Sequence, residues 1–309
     1  MTRILVTGAA GFIGRALCRG LVECGHAVFG ITRAPAEPIP GVELRPIGEI
    51  GPQTDWPGHL ERVDCVIHLA NRAHRPARPG AALHEAEAAA ALARAAATAG
   101  VPRLVHMSSV RAMGETTLPG APFRSDDPAL PSEAYGRAKL ATERALATAA
   151  ETGLELVILR PPLVYGPAVK ANFRALIDLV ATGLPLPFAG IDNRRSLIFL
   201  GNLVDVAARA VVHPAAAGRV LLVRDAADLS TEELLRRLAS ELGRPARLFR
   251  APQAAFAALR RFPVLGPFVA RLTLSLQVDD SATRAALDWT PPVSPEQGLA
   301  ATVGALRDR

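Results

Sequence analysis

The sequence predicts an α/β protein built on a doubly wound parallel sheet, and three observations predict it. Short apolar runs rich in β-branched residues recur through the first half of the chain, at residues 3–7, 26–32 and 64–70 among others. Stretches of helical composition separate them, which is the alternation of a parallel sheet covered by helices on both faces. A glycine-rich turn, Thr7-Gly-Ala-Ala-Gly-Phe-Ile-Gly14, joins the first apolar run to the first helical one.

Residues 3–7 read as a buried strand and 15–23 as the helix after the turn. Gly8, Gly11 and Gly14 are spaced Gly-x-x-Gly-x-x-Gly. Glycines let backbone turn sharply and approach a pyrophosphate, and the helix N-terminus adds free N–H donors and partial positive charge. Strand, turn and helix together predict dinucleotide binding of the Rossmann type. The second strand, 26–32, ends in Ile31-Thr32-Arg33 with no acid to meet an adenosine ribose. Arg33 suits a 2′-phosphate, because a guanidinium pairs bidentately with one, and this favours NADP over NAD.

Residues 64–70 read as a third buried strand. The alanine-rich stretch 81–99 reads as a helix, since alanine is the best helix former, and Gly100-Val101-Pro102 stops it. Residues 103–108 form another strand. Ser132 is placed to cap the helix carrying Tyr135 and Lys139, which runs to about Glu151. Residues 156–164 read as one further strand. Beyond Tyr165 the pattern loosens, with prolines and glycines around 183–192. A strand at 195–200, a helix at 202–213 and a strand at 219–223 follow. Helices at 231–242 and 295–307 flank a mixed region. The expected organisation is a dinucleotide domain, 1–165 with 196–225 returning to it. A smaller, interwoven C-terminal substrate lobe takes 166–195 and 226–309. No internal repeat is evident.

Tyr135 and Lys139 stand four residues apart, on one face of their helix. An ammonium beside a phenol favours the phenolate, so tyrosine becomes a proton donor and acceptor near neutral pH. The alternative is a solvated helix face.

The net charge is +6 and half of the residues are apolar. That balance suits an anionic ligand such as a dinucleotide or a sugar nucleotide. Nucleic acid is not expected, because dense Lys/Arg runs, interleaved aromatics and helix-turn-helix or zinc patterns are missing. Cys18, Cys24 and Cys65 read as small buried fillers in a reducing compartment, and no metal site is expected. No signal peptide precedes the first strand, and no apolar run is long enough to span a bilayer. The expectation is a soluble cytoplasmic protein. Residues 251–276 are apolar but broken by Arg260, Arg261, Pro263, Pro267 and Arg271. They read as substrate-lobe core, with an interfacial amphipathic surface as the alternative.

Five stretches together resemble an extended short-chain dehydrogenase/reductase. They are Thr7 to Gly14, His68-Leu69-Ala70, Ser108-Ser109 followed by Gly114, Tyr135-x-x-x-Lys139, and Leu159-Arg-Pro-Pro-Leu-Val-Tyr-Gly166. Within that group they are similar to the NAD-dependent epimerase/dehydratase family acting on nucleotide sugars. The resemblance extends to Leu287-Asp-Trp-Thr-Pro291. It implies NADP or NAD as cofactor, Ser109, Tyr135 and Lys139 as catalytic residues, and a nucleotide-sugar substrate. Tyr135 is the implied acid/base, and Lys139 lowers its pKa and holds the nicotinamide ribose. Implied cofactor contacts fall at Gly8, Gly11, Phe12, Ile13, Gly14, Leu69, Ala70 and Pro162, beside Arg33 and Lys139. Implied sugar-nucleotide contacts fall at Asn172 and Arg195. His68 resembles a cofactor-lining residue, with a packed strand-end histidine as the alternative. A homodimer through a helix bundle is common in the family, and the alanine-rich face is compatible with one.

Two departures narrow the chemistry. Glu85 stands where the family often has asparagine. Val110-Arg111 follows Ser109 where sugar 4,6-dehydratases carry Asp-Glu, so dehydration is not expected. The Cys/His pair of enzymes that epimerise carbons 3 and 5 is not apparent either. The expected reaction is at carbon 4 of a nucleotide-linked hexose. Reduction of a UDP-4-keto-6-deoxy-N-acetylhexosamine for surface polysaccharide is preferred, on the resemblance of residues 108–115, 183–187 and 191–197 and on Arg33. The alternative is a UDP-hexose or UDP-N-acetylhexosamine 4-epimerase. A non-catalytic dinucleotide-binding regulator and a lipid-linked sugar substrate are lesser alternatives.

Overall fold

The apolar run after Thr2 forms the central strand β1 (Arg3–Thr7), buried from Ile4 onward. The chain turns through the glycines into α1 (Phe12–Glu23), whose buried Gly14, Leu17, Cys18 and Leu21 recur every three to four residues and seat it on the sheet. Next come β2 (Ala27–Thr32), β3 (Val42–Pro46), the short α2 (Pro57–Leu60) and β4 (Cys65–His68). The alanine-rich α3 (Ala81–Thr98), β5 (Arg103–Met107), α4 (Ala134–Ala150) and β6 (Glu155–Arg160) complete the first half. The computed structural model describes residues 1–71, 80–118, 120–151, 153–263 and 265–307.

Beyond β6 the chain forms β7 (Leu163–Tyr165), α5 (Ala171–Ala181), β8 (Leu197–Phe199), α6 (Leu200–Val212) and β9 (Val220–Leu222). It ends with α7 (Thr231–Glu241), α8 (Gln253–Leu259), α9 (Gly266–Thr273), α10 (Ser281–Leu287) and α11 (Pro295–Arg307).

Seven strands pair in the order β3-β2-β1-β4-β5-β6-β9, all parallel. The chain starts in the middle, moves outward to β3, then returns past β1 to β4. The reversal between β1 and β4 opens a crevice at their carboxyl ends, where ligands bind in sheets of this kind. The doubly wound prediction therefore describes the fold.

Three elements differ from the sequence reading. Residues 156–164 are two strands, because Pro161 and Pro162 cannot continue a central ladder. β7 leaves the large sheet and pairs in parallel with β8 in a separate two-stranded sheet. Ser132 does not cap α4; its hydroxyl and backbone N–H bond the Glu115 carboxylate, and Glu133 takes the cap position. β3 and the α8–α9 pair went unread, being short or interrupted by proline and glycine, and α5 went unread although it holds neither.

Three large apolar clusters form, one of them packing α3 and α4 on the main sheet through Leu92, Leu104 and Leu146; the other two follow the two sheets. One joins β1, β4, β5 and β6 to α1, α6 and the buried Trp289. The other joins β7 and β8 to α5, α7 and α11 around Tyr165, Phe173 and Phe199. Between them, Asp225 accepts hydrogen bonds from the Tyr165 hydroxyl (2.7 Å), the Phe199 N–H (2.9 Å) and the Asn202 amide (2.7 Å). Cys18 and Cys65 are buried fillers as expected, and burial pushes both thiols up to about 12. Cys24 is exposed instead, at the end of α1.

Candidate active site at the carboxyl edge of the sheet

The glycine turn makes a cradle that no larger residue fills. Gly8 sits at φ +72°, in the left-handed region, and a Cβ there would lie 3.1 Å from the Ala70 nitrogen. A Cβ on Gly14 would lie 2.2 Å from the Gly8 carbonyl oxygen. The Leu69 and Ala70 N–H groups each donate to the Thr7 hydroxyl at 3.2 Å, drawing the end of β4 over the turn. Gly11 caps α1 without a side chain, and the first turn of α1 holds no acid. The N–H groups of Phe12, Ile13 and Gly14 belong to that first turn, where amides have no partner within the helix. An anionic pyrophosphate fits this cradle.

Ser109, Tyr135 and Lys139, the expected catalytic residues, lie two strands away. Ser109 follows β5 and opens a 3-10 turn at Val110–Ala112, its hydroxyl accepting from the Arg111 N–H at 3.2 Å. Tyr135 rises from the first turn of α4, 37% exposed, with Ser109 close enough to lower its pKa by hydrogen bonding. Gly136 makes that approach possible: a Cβ there would stand 2.2 Å from the Arg111 carbonyl oxygen and 2.8 Å from Pro131. Lys139, one turn on, is 2% exposed, and its ammonium nitrogen has no hydrogen-bond partner among the described residues. A buried, unbonded ammonium at this edge fits the ribose hydroxyls of a nicotinamide nucleotide.

The electrostatics differ from the sequence expectation. Burial holds the Tyr135 phenol above its ordinary value, and the Glu85 carboxylate pushes it further up, against smaller downward pulls from Ser109 and Arg111. Lys139 is itself lowered by burial, while Glu85 and Glu143 act to keep it charged. The reason lies on α3: Glu85 Oε1 stands 3.7 Å from Lys139 Nζ. Lys139 is not among the groups acting on the phenol, so the lowering that the Tyr-x-x-x-Lys spacing predicts does not appear.

A buried polar layer lies beneath the set. The Ser108 hydroxyl bonds Glu143, which also accepts Arg160 Nε at 3.0 Å in an ion pair buried on both sides. His68 is a packed histidine, its Nδ1 2.8 Å from the Thr7 hydroxyl and its ring stacked on His106 at 5.5 Å. Burial and the nearby Lys139 charge lower both imidazoles, His68 to about 3, so both are neutral.

The remaining residues predicted from sequence spread around this centre. Arg33 is exposed just beyond β2, two residues past the register partner of Thr7, and forms no ion pair among the described residues. Pro162 is buried between β6 and β7. Arg195 donates to the Leu274 carbonyl at 3.0 Å, and burial, then the like charges of Arg111 and Arg271, lower its pKa to about 10. Three guanidinium groups thus share one field, which suits an anionic substrate group. Asn172 is exposed in the first turn of α5, and no hydrogen bond ties it to the catalytic set among the described residues. No cluster of potential metal ligands occurs among the described residues.

Sequence reasoning missed Gly136, His106 and the Glu143–Arg160 pair. Gly136 carried a readable signal, because a glycine in the first turn of a helix is costly without a packing reason. The other three carried none, since only tertiary packing brings β4, β5, β6 and α4 together.

Three relatives illustrate the comparisons. The chain is 38% identical to a UDP-glucose 4-epimerase of Vibrio cholerae, over 98% of this chain and 95% of the relative. It is 30% identical to a probable dTDP-4,6-dihydroxy-2-methyloxan-3-one 4-ketoreductase of Streptomyces antibioticus, over 70% of this chain and 69% of that one. The crystal structure of a UDP-N-acetylglucosamine 4-epimerase from Bacillus cereus superimposes with a TM-score of 0.81, covering 99% of this chain and all of that one at 18% identity, which shows a shared fold. The pattern of the NAD dependent epimerase/dehydratase family matches residues 4–223. With that match and the Vibrio identity, the chain belongs to the NAD dependent epimerase/dehydratase family and is an NAD(P)-dependent enzyme.

Proposed function

We propose that the protein is a nucleotide-sugar 4-epimerase acting on a UDP-hexose. One observation carries this reading: 38% identity with the Vibrio cholerae UDP-glucose 4-epimerase, sustained over nearly the whole of both chains. Reduction of a 4-keto sugar, the reaction preferred from sequence, is the second reading. It keeps support from the Streptomyces 4-ketoreductase, at lower identity and coverage.

Residues 1–165 and 196–225 hold the dinucleotide, and 166–195 with 226–309 cover the sugar nucleotide. Gly8, Gly11, Phe12, Ile13 and Gly14 present backbone to the pyrophosphate. Lys139 donates to the nicotinamide ribose, and Arg33, Leu69, Ala70 and Pro162 line the remainder. The bound nicotinamide supplies the hydride exchange at carbon 4, chemistry that belongs to the cofactor. Tyr135 takes the proton from the carbon-4 hydroxyl and gives it back, with Ser109 fixing the hydroxyl in line. Arg195, beside Arg111 and Arg271, neutralises the substrate diphosphate, and Asn172 closes the pocket from α5.

The test is incubation with UDP-glucose or UDP-N-acetylglucosamine alone, against a UDP-4-keto-6-deoxy-hexosamine with NADPH. Interconversion with carbon-4 inversion and no net redox change supports the epimerase. Stoichiometric NADPH consumption on the keto sugar, with no inversion of the first pair, transfers the assignment to the reductase.

A further inference from the structure

The whole net charge of the chain sits in one stretch. Residues 243–278 contain six arginines and no lysine, aspartate or glutamate, leaving twenty-nine basic and twenty-nine acidic residues elsewhere. This stretch runs from the end of α7 through α8 and α9. Among the described residues, none of the six arginines forms an ion pair with a carboxylate. Arginines elsewhere in the chain are paired repeatedly. Arg260 instead bonds the Thr273 hydroxyl at 3.0 Å, Arg250 lies in the field of Glu232, and Arg247 and Arg261 are exposed.

Apolar side chains stand out of the same stretch. Leu259, Phe262, Leu265 and Phe268 are all exposed, at 36, 57, 51 and 37%. They recur every third residue through the tight connection from α8 to α9, where the Phe262 N–H bonds the Leu259 carbonyl and the Gly266 N–H bonds the Phe262 carbonyl. The opposite side of α9 is committed to the fold, with Gly266, Val269 and Leu272 buried. The exposed row is therefore surplus to the core. Single exposed apolar residues are ordinary, but four within ten residues of one helix connection point to an interaction site.

We propose that the apolar row Leu259, Phe262, Leu265 and Phe268, together with the unpaired arginines around it, docks the protein on an anionic lipid surface. Aromatic and leucine side chains entering the headgroup boundary, flanked by arginine, are the recurring design of interfacial anchors. Charge decides against a second copy of this chain. A two-fold contact sets a patch against itself, so Arg260 and Arg261, directly after Leu259, would face their own copies, and residues 243–278 hold no acid to pair with them. Docking is peripheral, since no described helix is long and apolar enough to cross a membrane. The row lies outside the Ser109, Tyr135 and Lys139 set, so docking holds whichever sugar the enzyme turns over.

The experiment is cosedimentation of the full chain with vesicles of phosphatidylcholine, with and without phosphatidylglycerol. Binding is expected to the mixed vesicles, at least about tenfold weaker to phosphatidylcholine alone, and released by salt. The exposed pair Phe262→Ser/Leu265→Ser weakens binding to mixed vesicles at least about tenfold while melting temperature and turnover stay as in the wild type. Arg247→Gln/Arg261→Gln removes the preference for anionic lipid. The idea is overturned if the chain stays in the supernatant with mixed vesicles, or binds both vesicles alike, or if either pair of substitutions leaves binding unchanged. A dimer that Phe262→Ser/Leu265→Ser dissociates in sedimentation velocity overturns it as well, assigning the row to a second copy.

Discussion

The Glu85 carboxylate and the Lys139 ammonium face each other at 3.7 Å across the contact between α3 and α4. Glu85 thus sets a carboxylate against the buried ammonium and within reach of the phenol. That charge raises Tyr135 directly and helps keep the buried Lys139 protonated. Glu85→Gln removes both influences, and both groups titrate lower. The phenol must be ionised to accept the sugar proton, so the acid limb of kcat/KM moves to lower pH. An acid limb that stays in place or moves up removes Glu85 from the control of Tyr135.

Tyr135→Phe deletes the hydroxyl proposed to move the proton and little else, because the residue is partly exposed and its ring is retained. Turnover is expected to fall by about 100- to 10,000-fold, with dinucleotide affinity within a few-fold of wild type by calorimetry. Turnover near that of wild type would falsify the acid/base role.

Gly136→Ala tests whether close contact positions Tyr135. Its new methyl meets the Arg111 carbonyl at 2.2 Å, and backbone must shift to admit it. Displacing Tyr135 from Ser109 by about 1 Å costs on the order of 100-fold in kcat. Alanine is the better helix former, so a purely helical effect would stabilise the chain instead. A combined readout of kcat and melting temperature separates the two.

Tyr165→Phe breaks the 2.7 Å bond to Asp225 between the apolar clusters that follow the two sheets. Burial raises the Asp225 pKa, and the Tyr165 hydroxyl is among the groups that hold it down. A carboxyl raised in the folded state binds protons more tightly there than when unfolded, so its contribution to stability falls as pH rises through its folded pKa. Losing the hydroxyl raises that pKa further. The variant is therefore destabilised by about 1–3 kcal/mol near neutral pH and by less in acid, where the carboxyl is already protonated. Urea midpoints across that range test the sign.

Arg33→Ala discriminates between the cofactors. If the exposed guanidinium pairs with a 2′-phosphate, NADPH binding weakens by about 1–3 kcal/mol and NADH binding changes little. Equal losses for the two cofactors take Arg33 out of that role.

Much of the site was legible because its signals are local. Gly-x-x-Gly-x-x-Gly between a strand and a helix needs only neighbouring residues to be recognised, and Tyr135 with Lys139 needs only the helical repeat. The strand split at Pro161 and Pro162 was equally local and was read through instead, since the apolar residues on both sides, Leu156 to Leu159 and Leu163-Val164, outweighed the prolines. Glu85 was noted as a departure, but its partner lay fifty-four residues away on another helix.

By itself, the amino-acid order determined the alternation of strand and helix, the phosphate cradle and the phenol–ammonium pair, because each depends on backbone geometry within a few residues. The packing of α3 on α4 decided the rest of the chemistry. It set Glu85 against Lys139, buried the ammonium and turned the phenol's pKa upward, since charges act through space and the distances between them exist only once the chain has folded.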